Sequence, residues 1–277
     1  MLKKGGYWMP DTVQTTRGCP YGCEFCSVTE FFGHTYRTRL VEEVVEEVKS
    51  LAGKVVLFVD DNIMGKPNYS RELFEALLKL PEKIRWYGQA SLTMMKNPHL
   101  LELAAKSGCR GLFIGLESIS ERILKKMGKP FNHPSDYRKH FAFLHSLGIR
   151  VIGAFVFGED DDADSIDETV RFVDKAKSDL VEYTLATPLP GTKLWERVRG
   201  RIIETDRSKY DCRHVTFQHP TLSQERLQAI FYSACRRTYS YRSIIRRLST
   251  WKGDLCTFMA LNYAFRQGTY GWMARGD

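Results

Sequence analysis

The segment TTRGCPYGCEFCSV, residues 15–28, places Cys19, Cys23 and Cys26 within eight positions, with no fourth cysteine nearby. A structural zinc site or a closed iron–sulfur cluster takes four protein ligands. Three thiolates can instead hold three irons of a four-iron cluster and leave the fourth iron open to a small molecule. A zinc knuckle completed by His34, or three thiols buried together without a metal, would also fit the cysteines alone.

Around this segment, short apolar runs rich in β-branched residues alternate with helical patterns. The runs that predict strands are residues 12–16, 55–59, 84–88, 111–116, 151–157 and 181–185. Between them, apolar residues recur at helical spacing, as in Val41, Val44 and Val48, with glutamates on the opposite face. This alternation is typical of a parallel sheet that is covered by helices on both faces.

The number of strand–helix units limits the architecture. Six units are too few to close a standard eight-unit barrel. The sequence therefore predicts an α/β fold: an open six-unit (β/α)6 partial TIM barrel with a mostly helical C-terminal extension. We expect a lead-in over residues 1–10, the barrel over residues 11–195 and the extension over residues 196–277.

Composition and charge narrow the class of protein. The 277 residues carry a net charge of +8 and 43% hydrophobic residues, enough for one large domain with a core. The N-terminal residues do not resemble a secretory signal, and no apolar run is long enough to span a membrane. Seven unevenly spaced cysteines do not suggest a disulfide framework. We therefore expect a cytoplasmic protein with reduced thiols.

Polar residues follow the predicted strands, where the active site of a parallel barrel lies. They are Asp60, Asp61 and Asn62 after the second strand, Gln89 and Ser91 after the third, Glu117 and Ser118 after the fourth, Gly158 and Glu159 after the fifth, and Thr187 and Pro188 after the sixth. The first strand runs into the cysteine segment, so we expect these side chains and the thiols to share one mouth.

The pattern Cys19-x-x-x-Cys23-x-Phe25-Cys26 at the end of the first strand resembles the radical S-adenosylmethionine superfamily, with a likeness over about residues 10–195. More narrowly, the segments TVQTTRGCPYGCEFCSV, FVDDN, GLESIS and TPLPGT are similar to cobalamin-dependent radical S-adenosylmethionine proteins. These include enzymes like the anaerobic magnesium-protoporphyrin cyclase and the hopanoid methylases.

The resemblance implies a role for each matching residue. The three cysteines would ligate a [4Fe–4S] cluster whose open iron is chelated by the amino and carboxylate groups of S-adenosylmethionine. The implied cofactor contacts are Phe25 near the adenine, Asp60 and Asp61 at the methionine amino group, Glu117 at the ribose hydroxyls, Lys129 at the methionine carboxylate, and Ile152, Gly153, Leu185 and Thr187 flanking the adenine. Ser118, next to Glu117, is also expected to bind the cofactor. From the residues alone, Asp60 could equally be a strand-end cap and Lys129 an exposed surface lysine.

The resemblance also implies a reaction and partners. The expected enzyme cleaves S-adenosylmethionine reductively to a 5′-deoxyadenosyl radical, which abstracts hydrogen from an unidentified small-molecule or lipid substrate, for methyl transfer or oxidative rearrangement. It would need a low-potential electron donor of the ferredoxin or flavodoxin type. Only about ten residues precede the first strand, so cobalamin could act only through a separate corrinoid-binding chain or a missing domain.

Two other classes compete with this hypothesis. A non-catalytic iron–sulfur electron carrier would more plausibly use four cysteines. A methylthiotransferase-like enzyme that modifies RNA would be expected to show a basic RNA-binding module and an N-terminal cysteine-bearing domain, and neither is visible. The sequence therefore disfavours nucleic acid as a partner.

The C-terminal segment is basic. From Arg236 onward there are eight Lys or Arg residues and two Asp residues, mixed with aromatic side chains such as Tyr241, Trp251 and Tyr263. Such a mixture suits peripheral contact with an anionic membrane, and it suits equally a terminal helix packed on the barrel with its arginines exposed. The remaining cysteines, Cys109 among them, lack the paired spacing of a second cluster.

Overall fold

The computed structural model describes residues 11–51, 55–248 and 255–275. Its main sheet has six parallel strands, in the order β1-β4-β5-β6-β7-β8. These strands are β1 (Asp11–Val13), β4 (Val55–Phe58), β5 (Arg85–Ala90), β6 (Cys109–Glu117), β7 (Arg150–Phe157) and β8 (Leu180–Leu185). The order follows the chain, and within the described residues β1 and β8 are the two edges of the sheet, which confirms the predicted six-unit partial barrel.

One predicted strand divides in two. The run expected over residues 12–16 leaves the main sheet after Val13, and β2 (Thr16–Arg17) pairs with β3 (Arg37–Thr38) in a separate antiparallel ribbon. The side chain of Asp60, at the end of β4, accepts hydrogen bonds from the backbone N–H groups of both Thr15 and Thr16. These bonds replace the sheet ladder at the point where the chain turns into the cysteine segment.

Helices cover the strands as the apolar periodicity predicts. They are α1 (Ser27–Phe32), α2 (Val41–Ser50), α3 (Pro67–Leu78), α4 (Pro98–Lys106), α5 (Glu121–Lys126), α6 (Tyr137–Ser146), α7 (Ala163–Ala176), α8 (Lys193–Val198), α9 (Gln224–Thr238), α10 (Tyr241–Leu248) and α11 (Leu255–Arg275). Local chemistry sets their ends: Asp162 and Ser165 form a capping box at the start of α7. The core between sheet and helices is aromatic, with Trp86 fully buried against Phe58 and Phe74.

The C-terminal helices α9, α10 and α11, here called the helical layer, pack on α7 and β8. Arg247 of α10 is fully buried and donates to the backbone oxygens of Ser178, Asp179 and Thr238. It also donates to the side-chain oxygen of Asn262 on α11 at 2.8 Å. A buried guanidinium is tolerated when its donors are satisfied in this way.

Several basic residues of the predicted tail are therefore used in packing. Besides Arg247, Arg237 pairs with Asp167, Arg246 pairs with Asp174, and Arg266 donates to the backbone oxygen of Tyr239. Trp251 and Lys252 lie outside the described residues. Over the residues that are described, the chain contains no helix of the length and apolar character needed to cross a bilayer. Peripheral membrane contact by the tail stays a prediction.

Candidate active site

The cysteine segment turns sharply at Gly18, directly after β2. Gly18 has a φ of +92°, and a Cβ there would lie 2.1 Å from the backbone oxygen of Thr35, so only glycine fits. The N–H of Gly18 donates to a carboxylate oxygen of Asp61 at 3.1 Å. Farther along, the N–H of Cys26 donates to the backbone oxygen of Cys23 at 3.1 Å, and Cys26 caps the start of α1. The loop thus holds the cysteines in a compact turn.

The three cysteines are free thiols that are partly exposed. Burial raises the pKa of each, and raises that of Cys23 to about 11, while the positive charge of Lys129 opposes this effect. Metal ligation requires the thiolate and therefore displaces these protons. Among the described residues, no three Cys, His, Asp or Glu side chains are arranged to hold a single metal ion. The three thiols instead border one open cavity.

That cavity, here called the cysteine cavity, has about 690 Å³ of empty volume. Of the residues that the resemblance implied, it is lined by Cys19, Cys23, Cys26, Phe25, Asp61, Glu117 and Lys129. The strand-end residues Asn62, Gln89 and Ser91 also line it, as expected from the topology. Sequence reasoning missed three aromatic lining residues, Tyr21, Phe113 and Phe131. The cavity is therefore polar at the strand ends and aromatic at its walls.

A buried ion pair forms part of the cavity lining. Nζ of Lys129 lies 2.5 Å from Oε1 of Glu117, and the two residues are 7% and 6% exposed. Burial alone would lower the pKa of Lys129, but the Glu117 carboxylate and the Cys23 thiolate outweigh it and raise this pKa above its usual value. Lys129 is therefore positively charged beside the thiols. It is not the exposed surface lysine of the alternative interpretation.

The backbone at Glu117 is unusual. Its φ is +67°, and the register between β6 and β7 shifts between Gly115 and Glu117. Asn132 and Tyr137 donate to the backbone oxygen of Leu116 at 3.1 and 3.0 Å and so support this conformation. A left-handed conformation costs a non-glycine residue energy and is often found at functional sites. The strain here turns the Glu117 side chain toward Lys129.

The two adjacent aspartates have different positions. Asp61 lines the cysteine cavity, whereas Asp60 is fully buried and bonded to Thr15 and Thr16 through both their backbone N–H groups and their hydroxyls. Burial raises the pKa of Asp60, although the bonds from these threonines oppose the shift. Asp60 is thus committed to the turn after β1, as in the strand-end interpretation, and Asp61 is the carboxylate available to a ligand.

The remaining implied residues lie away from the cysteine cavity. The Ser118 hydroxyl accepts from the N–H of Ser120, and the Thr187 hydroxyl donates to the backbone oxygen of Leu185. Ile152 packs against the helical layer, in a cluster that contains Tyr239 and Phe258. Gly153 lies against Leu116 and Ser178, and Leu185 borders a smaller cavity with Phe157 and His219. These five residues are not among those that line the cysteine cavity, and their contacts with the cofactor stay predictions.

A second cavity, with about 400 Å³ of empty volume, lies on the other side of Phe25. Glu159 lines it, and hydrogen bonds from Arg201, Lys126 and Arg197 outweigh the effect of burial and lower its pKa to about 2. Asp161, 4% exposed, also lines this cavity, and burial raises its pKa to about 6. Phe25 therefore lines both the cavity that contains the thiols and a cavity rimmed by paired charges.

Comparison with known proteins identifies the family of this chain. The family model described as the radical SAM superfamily matches residues 13–173. The bacteriochlorophyllide d C-12(1)-methyltransferase of Chlorobaculum tepidum is 35% identical over 243 residues, which cover 85% of this chain and 53% of the relative. The hopanoid C-2 methylase of Rhodopseudomonas palustris is 27% identical over 248 residues, covering 85% of this chain and 46% of the relative. The chain spans about half the length of these two relatives.

Solved structures agree on the fold. The radical S-adenosylmethionine methyltransferase TsrM of Kitasatospora setae, solved with cobalamin and a [4Fe–4S] cluster bound, superposes with a TM-score of 0.62 at 18% identity, covering 68% of this chain and 39% of TsrM. Methylornithine synthase superposes with a TM-score of 0.55 at 15% identity, covering 86% of this chain and 68% of that enzyme. At these identities the likeness concerns the fold alone.

The chain therefore belongs to the radical S-adenosylmethionine superfamily. This class consists of enzymes that bind a [4Fe–4S] cluster and S-adenosylmethionine, which confirms the resemblance, the enzyme prediction and the two cofactors. A non-catalytic electron carrier does not fit this membership. The relatives are named as methyltransferases and methylases, and another is an anaerobic magnesium-protoporphyrin IX monomethyl ester cyclase.

Proposed function

We propose that Cys19, Cys23 and Cys26 hold the [4Fe–4S] cluster and that S-adenosylmethionine binds in the cysteine cavity beside it. One observation carries this proposal: three free thiols and the buried Lys129–Glu117 pair line the same cavity. The residues fit both groups. The thiols supply three ligands, and the cavity supplies one cation and two carboxylates for a zwitterionic amino acid moiety.

Each lining residue has a role suited to its chemistry. Lys129, held positively charged, would bind the methionine carboxylate, and Asp61 would accept from the methionine amino group. Glu117 would accept from ribose hydroxyls, since a carboxylate has more acceptor sites than one lysine contact uses. Burial raises the pKa of the Cys19 thiol, and the Asn62 amide that faces this thiol lowers it in part. This buried amide has no nitrogen or oxygen hydrogen-bond partner among the described residues. It is therefore available to a ligand.

Phe25 supports the placement of the adenine. Its side chain borders both the cysteine cavity and the second cavity. An aromatic ring at that position can stack on a nucleobase, which is worth about 1–3 kcal/mol. The adenine would then lie at Phe25, at the boundary of the two cavities.

Once bound, the two cofactors supply one-electron cleavage of S-adenosylmethionine to methionine and a 5′-deoxyadenosyl radical. The chain's own residues would orient the cofactor, and Tyr21, Phe113 and Phe131 would give it an aromatic wall to pack against. For the net reaction we favour methyl transfer to carbon in a largely apolar substrate. Two relatives are named as a methyltransferase for a numbered carbon of bacteriochlorophyllide d and as a methylase for a numbered carbon of hopanoids. Oxidative rearrangement is the second candidate, since a cyclase is also similar. Corrinoid chemistry would require a cobalamin-binding partner or segment.

The test is cofactor cleavage after anaerobic reconstitution with iron and sulfide. With dithionite and S-adenosylmethionine, the parent protein should release 5′-deoxyadenosine, slowly if substrate is absent. Cys23→Ala should release none. Cys256→Ala is the matched control, because Cys256 is exposed on the helical layer, and it should match the parent. Equal release by all three proteins, or none by the parent with a full iron content, would contradict the proposal.

A further inference from the structure

The ribbon formed by β2 and β3 places two arginines directly opposite each other. Arg17 and Arg37 are partners in its antiparallel register, and both side chains are exposed. Like charges at opposed positions destabilise such a pair. Arg17 donates to the side chain of Gln14 at 2.8 Å, and neither arginine has an ion-pair partner within the described part of the chain. The described fold therefore leaves this repulsion uncompensated.

Two aromatic rings stand beside the arginine pair. The guanidinium of Arg37 lies over the ring of Phe32, 5.7 Å from its centroid. Phe31, 81% exposed, meets Phe32 edge to face with ring centroids 4.9 Å apart. The acid of α1, Glu30, instead lies beside Gly191. Arg17, Arg37, Phe31 and Phe32 thus form one exposed surface, here called the hairpin patch, that combines positive charge with aromatic area.

The hairpin patch touches the cysteine segment. Arg17 precedes Cys19 by two residues. A Cβ on Gly18 would lie 3.8 Å from the Cβ of Phe32, so Phe32 packs on the backbone that leads into Cys19. A protein docked on this patch would therefore lie against the backbone that leads into the first proposed cluster ligand.

We infer that the hairpin patch is the docking surface for an acidic, low-potential protein that donates one electron. The inference rests on the proposed function, because a redox centre held by the three cysteines needs an electron delivered at this place. In the transfer the donor is oxidised by one electron and the cluster is reduced by one, with no bond made or broken. Donor carboxylates would relieve the repulsion between Arg17 and Arg37, and Phe31 would be buried. Redox interfaces of this kind are small and depend on charge for their encounter rate.

The first arm of the test measures binding rather than activity. The probe is an acidic [2Fe–2S] ferredoxin, titrated in its oxidised form into the reconstituted protein at low salt. Arg17→Glu/Arg37→Glu should weaken binding at least about tenfold. Lys79→Glu/Lys83→Glu makes the same change of charge on exposed residues between α3 and β5, at the opposite end of the barrel, and should leave the affinity within about twofold.

The single variant Arg17→Glu separates docking from ribbon stability. It places a carboxylate opposite Arg37 and turns a repulsive pair into an attractive one, so the melting temperature should not fall. Ferredoxin binding should still weaken. The inference would be overturned if the double variant bound ferredoxin as tightly as the parent, or if the lysine control weakened binding equally. Single-stranded RNA is titrated as a second probe. Weaker binding of RNA by the arginine variants, with unchanged binding of ferredoxin, would also overturn the inference.

The second arm measures 5′-deoxyadenosine release driven either by reduced ferredoxin or by dithionite. The hairpin-patch variants should slow the ferredoxin-driven rate and leave the dithionite-driven rate unchanged. If both rates were slowed, the two arginines would be needed for the structure of the cysteine loop, and the docking role would be overturned. If the parent releases nothing with dithionite, the proposed function fails, and the binding arm still decides the docking surface.

Discussion

The cysteine cavity and the helical layer differ in whether their buried polar groups have hydrogen-bond partners. In the helical layer, Arg247 is fully buried and bonded to three backbone oxygens and to Asn262. In the cavity, Asn62 has a buried amide without a conventional partner in the described chain, and Glu117 has a left-handed backbone. Polar groups in the layer are consumed by packing, whereas the cavity keeps the Asn62 amide without such a partner and holds Glu117 in a strained backbone conformation. The two regions therefore differ in whether their buried polar groups are available to a ligand. The density of charge in the sequence does not reveal this difference.

The largest effect on folding should come from the helical layer. Arg247→Ala would remove the buried donor from the backbone oxygens of Ser178 and Thr238 and from the side-chain oxygen of Asn262, and should lower the free energy of unfolding by about 3–5 kcal/mol. Arg242→Ala, which removes an exposed arginine from the same helix, should change it by less than about 0.5 kcal/mol. Denaturant titration measures both. Equal effects would show that Arg247 is not the buried centre of this layer.

A smaller effect should appear as a pH dependence at the second cavity. The pKa of Asp161 is raised to about 6 by burial, so between its unfolded value and pH 6 the folded state binds the proton more strongly. Asp161 should therefore contribute a loss of about 2–3 kcal/mol of stability as the pH rises from 4 to 7, measured as the difference between the parent and Asp161→Asn. Asp161→Asn cannot titrate and should lack this loss. The measurement is the unfolding free energy of both proteins across this range, and parallel profiles would contradict the prediction.

Cofactor affinity should respond to the cavity itself. Glu117→Ala should weaken binding of S-adenosylmethionine to the reconstituted protein by about 1–3 kcal/mol, because ribose hydroxyls would lose their acceptor. Glu121→Ala removes an exposed carboxylate at the start of α5 and should leave the affinity unchanged. Isothermal titration distinguishes them. If Glu117→Ala binds as tightly as the parent, Glu117 is not the ribose ligand.

The smallest expected effect isolates the strain at Glu117. Glu117→Ala and Glu117→Gly remove the same carboxylate and leave Lys129 equally unpaired, but only glycine adopts a φ of +67° without penalty. The glycine variant should be more stable than the alanine variant by about 1 kcal/mol. Thermal unfolding of the two variants gives this difference directly. An alanine variant of equal or greater stability would mean that the backbone there is not strained.

Much of the barrel could be predicted because its strands are local apolar runs and its cysteines lie close together in sequence. The residues that line the cavity could not be predicted in the same way, because they depend on which side of each strand faces the cavity. Phe113, Gly115 and Glu117 alternate along β6 and share a face, and that periodicity could have identified Phe113 once Glu117 was placed. A Cβ on Gly115 would lie 2.6 Å from Nζ of Lys129, so this glycine makes room for the ion pair.

Long-range packing of individual side chains could not be predicted from the sequence or from the resemblance. Ile152 packs against the helical layer, whose long-range contacts no local pattern reveals, and its predicted contact with the adenine stays a prediction. In the sequence, Arg247 cannot be distinguished from the other basic residues of the tail. Only the fold shows that it is buried. Among the exposed cations of the described tail, Arg236 and Arg242 remain for the predicted membrane contact.

The central claim is that three thiolates hold a four-iron cluster and leave one iron for S-adenosylmethionine. Mössbauer spectroscopy of protein reconstituted anaerobically with ⁵⁷Fe tests it most directly. We expect about four irons per chain, and addition of S-adenosylmethionine should alter the signal of about one iron in four. Four equivalent irons that do not respond to S-adenosylmethionine, or stoichiometric zinc without iron uptake, would contradict the account.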